Sequence, residues 1–144
     1  MRLWNFMMIP YLPDNQLRGQ WRECASIADG IQKNGTPNHL LVNKVMEYPY
    51  DEFATYCGKV QAEMSKRNFA VTLKSTERVY FKPWRYVYDK PIFEGWHNKE
   101  YLRVCMANLY EKHVFSVGKS RITDEEWQRL VDGYRQITGE EYVI

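Results

Sequence analysis

Residues 12–31 read LPDNQLRGQWRECASIADGI. Proline at position 13 ends an extended lead-in, and Asp14 behind it is placed to accept a hydrogen bond from the free N–H groups of a first helical turn, so a helix is predicted with Asp14 as its N-cap. Leu17, Trp21, Cys24, Ala28 and Ile31 follow at alternating steps of four and three, which trace one apolar stripe for the core. Arg18 and Arg22 fall one turn apart on a neighbouring face. Glu23 shares a side with Gly19, whose missing side chain leaves room for a backbone or ligand in front of the carboxylate.

Outward from that helix, the chain punctuates itself clearly. Lys33–Asn38 is a loop by its Gly, Pro and Asn content, and Leu40, Leu41, Val42, Val45 and Met46 read as a short buried connector, helical or extended, ended by Tyr48-Pro49-Tyr50. Asp51 is the expected cap of a second helix with the stripe Phe53, Cys57, Val60, Met64. Residues 69–95 change character: Val71, Leu73, Val79-Tyr80-Phe81 and Tyr86-Val87-Tyr88 read as short extended pieces broken by Pro83 and Pro91. Trp84, Tyr86 and Tyr88 interleave there with Lys82, Arg85 and Lys90, a pattern that suits stacking on unpaired bases or an aromatic lid over a helical core. Asn98 caps a third helix with Leu102, Cys105, Met106 and Leu109. The run Thr123-Asp124-Glu125-Glu126 is a capping box, followed by Trp127, Leu130, Val131, Tyr134 and Ile137 and closed by Gly139; this helix covers the core or meets a partner.

The expected fold is therefore all-α: one compact helical domain over residues 1–144, with an irregular aromatic arm and an extra C-terminal helix. The apolar run Leu3–Ile9 is too short to span a membrane and lacks the layout of a leader, so a soluble, cytoplasmic chain is expected, monomeric and without a membrane partner. Three cysteines, Cys24, Cys57 and Cys105, each sit on a helical stripe and read as buried thiols. His39, His97 and His113 have no metal-ligand spacing, no nucleotide-binding glycine motif occurs, and no metal or cofactor is expected. Net charge is only +2, but Lys66–Lys90 carries seven basic residues against two acidic ones, while the last 23 residues carry six acids against two arginines. One side can attract phosphate and the other repels it, unless both are ordinary solvated surface.

The run Leu12-x-Asp14-x-x-Leu17-x-x-x-x-Arg22-Glu23 resembles the start of the pyrimidine-dimer DNA glycosylases of the endonuclease V type. The likeness continues more weakly through Phe53–Phe69, His97 and Ala107–Lys112, over roughly residues 1–115. The resemblance implies a DNA repair enzyme acting on double-stranded damaged DNA, in which the amino-terminal α-amine attacks the sugar C1′ and a Schiff base leads on to strand scission. An α-amine leaves a useful fraction unprotonated at neutral pH, unlike an ordinary lysine. Here residue 2 is arginine where the family exposes a small residue, so the initiator methionine is expected to stay and the nucleophile becomes the amine of Met1. Glu23 is then the expected proton handler, and Arg2, Arg18, Arg22 and Lys112 the DNA-binding phosphate grips. Two other readings stand beside this one: a nucleic-acid-binding module of the same fold without the chemistry, and an N-glycosidase acting on another base or a nucleoside.

Overall fold

The computed structural model describes all residues from Met1 to Ile144. It contains helices and no strands, in the order α1 (Asp14–Asn34), α2 (Tyr50–Lys66), α3 (Leu73–Val79), α4 (Lys99–Val114) and α5 (Asp124–Thr138), with 3-10 turns at Phe6–Tyr11, Asn43–Glu47 and Gly118–Ser120. No helix is long and apolar enough to cross a membrane. The stripes read from the sequence are the core: Leu17, Trp21, Cys24 and Ala28 of α1 meet Phe53, Cys57, Val60 and Met64 of α2, and all are buried, as are Leu102, Cys105, Met106 and Leu109 of α4. All three cysteines are free and buried.

Several local expectations are corrected. Pro13, not Asp14, stands at the N-cap of α1 without a side-chain cap bond. Asp14 is the first helical residue and spends its carboxylate on Arg67 at 2.9 Å. Pro49 likewise precedes α2, and the Asp51 carboxylate accepts from the Arg85 backbone N–H at 3.0 Å. Where extended pieces at Val71, Leu73 and Val79-Tyr80-Phe81 are expected, Leu73–Val79 is helix α3, capped by Thr72, whose hydroxyl accepts from Ser75 N–H at 3.1 Å. Val79 is its one buried residue, so no apolar stripe announces it. Of the connector, Val42 and Val45 are buried as read, but Leu40, Leu41 and Met46 are exposed.

The aromatic arm lies over α2 as a lid: the rings of Tyr80 and Trp84 stack at 5.0 Å, and atoms of Tyr80, Trp84 and Tyr86 lie just beyond the space a side chain at Gly58 would occupy. The basic run is also spent in part. Arg67 binds Glu63, Asp14 and the carbonyls of Pro10 and Leu12, and Arg78 is paired with Asp29 at 2.6 Å. Helix α5 carries the capping box between Thr123 and Glu126 and ends at Gly139 in the left-handed conformation. It packs over the Phe6–Tyr11 turn and α4. Gly133 leaves the space in which the Tyr11 ring sits, where any Cβ would overlap the ring, and Arg129 donates to the Pro10 carbonyl at 2.8 Å.

Candidate active site at the amino terminus

The first residues are an extended tail threaded into the bundle, and an extended segment without a neighbouring strand must find partners for its backbone elsewhere. Side chains supply them. Trp4 N–H donates to Gln20 Oε1 at 2.7 Å, and Gln20 Nε2 donates to the Arg2 carbonyl at 3.0 Å. The Tyr56 hydroxyl lies 2.6 Å from the Trp4 carbonyl, and Tyr101 donates to the Leu3 carbonyl at 2.6 Å. Asn5 N–H points at Cys105 Sγ at 3.4 Å, Asn5 Nδ2 donates to the Asn98 carbonyl at 2.9 Å, and Phe6 N–H donates to His97 Nδ1 at 3.0 Å. Burial pushes the Tyr56 and Tyr101 phenols upward and the Cys105 thiol up to about 11, so these groups stay protonated and neutral. Residues from α1, α2 and α4 thus fix the tail's register.

At the mouth of this channel sits Glu23. Its Oε2 accepts from the Arg2 backbone N–H at 3.4 Å and from Gln20 Nε2 at 3.0 Å, while Oε1 takes no hydrogen bond from the protein. The other two acids of α1, Asp14 and Asp29, are paired with arginines; Glu23 has only neutral N–H donors. One oxygen is anchored and the other is free. The Met1 α-amine is in no ion pair, and Met1 is exposed. Since a residue spans at most about 3.6 Å, the Met1 nitrogen lies within about 7 Å of Glu23 Oε2.

Asn15, Arg22, Ser26 and Lys33 recur along α1 at steps of seven, four and seven and are all exposed. They form an open strip between the amino tail on the Glu23 side and Phe69 with α3 on the other. Arg18 stacks over the Phe69 ring at 3.8 Å, and the Arg22 guanidinium folds over Gly19. Both arginines line a hollow of about 430 Å³ with Trp21, Asn68 and Phe69, within the size range of small-ligand sites. Both also line a second, wholly polar hollow with Asn15, Gln16, Lys119 and Ser120.

The remaining expected site residues fall elsewhere. The Arg2 guanidinium lies near Tyr101 and Cys105 on the α4 side, where its charge offsets part of the upward push of burial on both groups. Lys112 is half-buried near the end of α4 and lines neither hollow; the lysine beside Arg18 and Arg22 is Lys119. Lys119 sits in a short turn with no pattern to mark it. Gln20, which ties Glu23 to the tail, did leave a sign: it is a polar residue at a core position of the stripe, 1% exposed. No group of three or more His, Cys, Asp or Glu side chains is placed to hold a metal.

His97 is a clamp for Phe6 rather than an acid or base. Burial pulls its pKa down from 6.5 to about 3, and because Nδ1 accepts from Phe6 the ring proton sits on Nε2, which has no partner. Between those two values the unfolded chain binds a proton that the folded chain does not, so stability is full above pH 6.5 and falls as pH drops toward 3. Lowering the pH from 7 to 5 is expected to remove about 2 kcal/mol of folding stability through this one group. Urea melts at the two pH values should show that difference in the wild type and a smaller one in His97→Gln, which keeps an acceptor for Phe6. His39 is a turn residue, its Nδ1 accepting from Leu41 N–H at 3.3 Å.

No curated protein and no solved structure matches the chain. A family model described as pyrimidine dimer DNA glycosylase matches residues 1–77. That stretch holds the threaded tail, Gln20, Arg22, Glu23 and the α1–α2 core beneath them, and it is more than half of the 144 residues. The chain belongs to the pyrimidine dimer DNA glycosylase family.

Proposed function

We propose that the protein excises a damaged base of the pyrimidine-dimer type from double-stranded DNA and then cleaves the strand at the abasic site. The observation that carries this reading is the half-free Glu23 carboxylate beside a tail held at Arg2, one residue from the chain's amine. The Met1 amine attacks C1′ of the extruded nucleotide; the N–C1′ bond forms as the glycosidic bond breaks, and the base leaves with a proton from solvent. Glu23 Oε1 takes the proton that the amine sheds and faces the positive charge that grows on the sugar. Opening of the sugar ring gives a Schiff base, with the proton returned to the ring oxygen. Loss of a C2′ proton then expels the 3′ phosphate by elimination. Arg18, Arg22, Lys33 and Lys119 hold phosphates along the strip, and Arg2 steadies the tail. Reaching C1′ requires the nucleotide to leave the stack, which is cheapest where a lesion has weakened pairing.

Borohydride reduction on duplex DNA with an abasic site tests the chemistry. A covalent adduct on the amino-terminal peptide is expected. Binding with no adduct would leave a nucleic-acid-binding module, and base release from a dimer-containing duplex without adduct on the abasic one would leave a simple N-glycosidase.

A further inference from the structure

Leu40 is 92% exposed and Leu41 47%, side by side at the apex of the turn after α1. One exposed leucine needs no explanation. Two at the tip of a turn that is otherwise tightly tied call for one. Val42 and Val45 anchor the turn in the core at 0% and 3% exposure. Asn43 Oδ1 accepts from His39 N–H at 2.8 Å and from the Thr36 hydroxyl at 3.3 Å, and Asn38 takes a left-handed φ of 57°. The turn is therefore built to hold its apolar tip outward, since nothing in it slackens toward the core.

Its place on α1 matters more. The backbone of Thr36 and Pro37 seats on Gly30, where a Cβ would come to 3.0 Å from Pro37 Cα and push the turn outward by a few tenths of an ångström. Gly30 follows Glu23 by seven residues, which at about 100° per residue puts the two on one face, about 10 Å apart along the axis. The turn thus rises at the end of the cationic strip, on the carboxylate's side, with exposed Lys33 and Lys44 beside it. The seat of the turn on α1 is thus about three base steps of rise from Glu23, and a duplex held by Arg18 and Arg22 that runs on past Lys33 reaches the leucines a few steps from the extruded nucleotide. Apolar side chains carried between base steps unstack and kink a duplex, and cations beside them hold the phosphates of the bent strand.

We propose that Leu40 and Leu41 are the wedge that unstacks a base step of the bound duplex a few steps to one side of the extruded nucleotide. They are positioning residues and touch no reacting atom. The proposal rests on the reading that Glu23 works on duplex DNA, and its test uses a readout that needs no turnover. A duplex with 2-aminopurine at successive positions flanking an abasic site reports unstacking as a rise in fluorescence. The wild type is expected to raise it at one step to one side of the site, and Leu40→Ala/Leu41→Ala to lose that rise with its melting curve unchanged. The double variant should also excise from fully paired duplex roughly tenfold more slowly, the size expected when part of an unstacking cost is no longer met. On single-stranded abasic DNA, where no step must be opened, borohydride adduct should form at the wild-type rate. Equal fluorescence for both proteins overturns the wedge even if adduct forms. A rise lost in the variant without adduct from either protein keeps the wedge and removes the chemistry. A wild type that binds no duplex overturns both.

Discussion

Glu23→Gln is expected to lower base excision by roughly 10²–10⁴-fold, the usual worth of one well-placed proton-transfer group, with no loss of folding stability. The amide oxygen of glutamine can take over both bonds now made to Oε2, from the Arg2 N–H and from Gln20 Nε2. The tail stays seated and only the capacity to accept a proton goes. Single-turnover excision and a melting curve on the same preparation separate the two effects. Binding to undamaged duplex should hold or tighten, since one negative charge is removed beside a strip that carries Arg18, Arg22 and Lys33. Excision at the wild-type rate would take Glu23 out of the chemistry and leave it as a fastening for the tail.

The second large effect concerns the chain end itself. A protein carrying Gly-Ser ahead of Met1 is expected to bind DNA normally and to give no borohydride adduct. Residues 2–6 are held in register by Gln20, Tyr56, His97, Tyr101 and Cys105, so added residues cannot be absorbed by sliding the tail inward. Each one carries the amine up to about 3.6 Å further from Glu23. A chain released from a fusion so that it begins at Arg2 is the informative comparison, because it puts an amine where the 3.4 Å amide contact with Glu23 now stands. If Met1 is the nucleophile, the chain beginning at Met1 forms adduct at least as fast. If adduct appears only after Met1 is gone, the attacking nitrogen belongs to residue 2.

The long helices were legible because their apolar residues recur with the helical period. The stripes of α1, α2 and α4 are the buried core, and the Thr123–Glu126 box and Gly139 mark the ends of α5 as read. Helix α3 was illegible for the matching reason: with Val79 alone buried, it has no stripe, and only the Thr72 cap betrays it. Caps misled where a proline preceded an aspartate, because Asp14 and Asp51 are bound by Arg67 and by the Arg85 amide instead. Glu23 and Arg22 could be picked out as a pair on one helix. Their surroundings could not, since the tail's partners at Asn98, Tyr101 and Cys105 lie 93 to 100 residues away in sequence. Lys119 could not be picked out for a similar reason: which lysine lines the hollow with Arg18 and Arg22 is decided by how the 117–121 turn meets the start of α1, where Asn15 donates to the Lys119 carbonyl.

The threaded tail also sets an order of assembly. Chains are made from the amino end, yet Leu3, Asn5 and Phe6 complete their bonds only with His97, Asn98, Tyr101 and Cys105. The early residues of the tail are thus among the last to be fully seated: before α4 docks, only Arg2 and Trp4 can find their partners, on α1 and α2. The tail's register is complete only in the finished bundle.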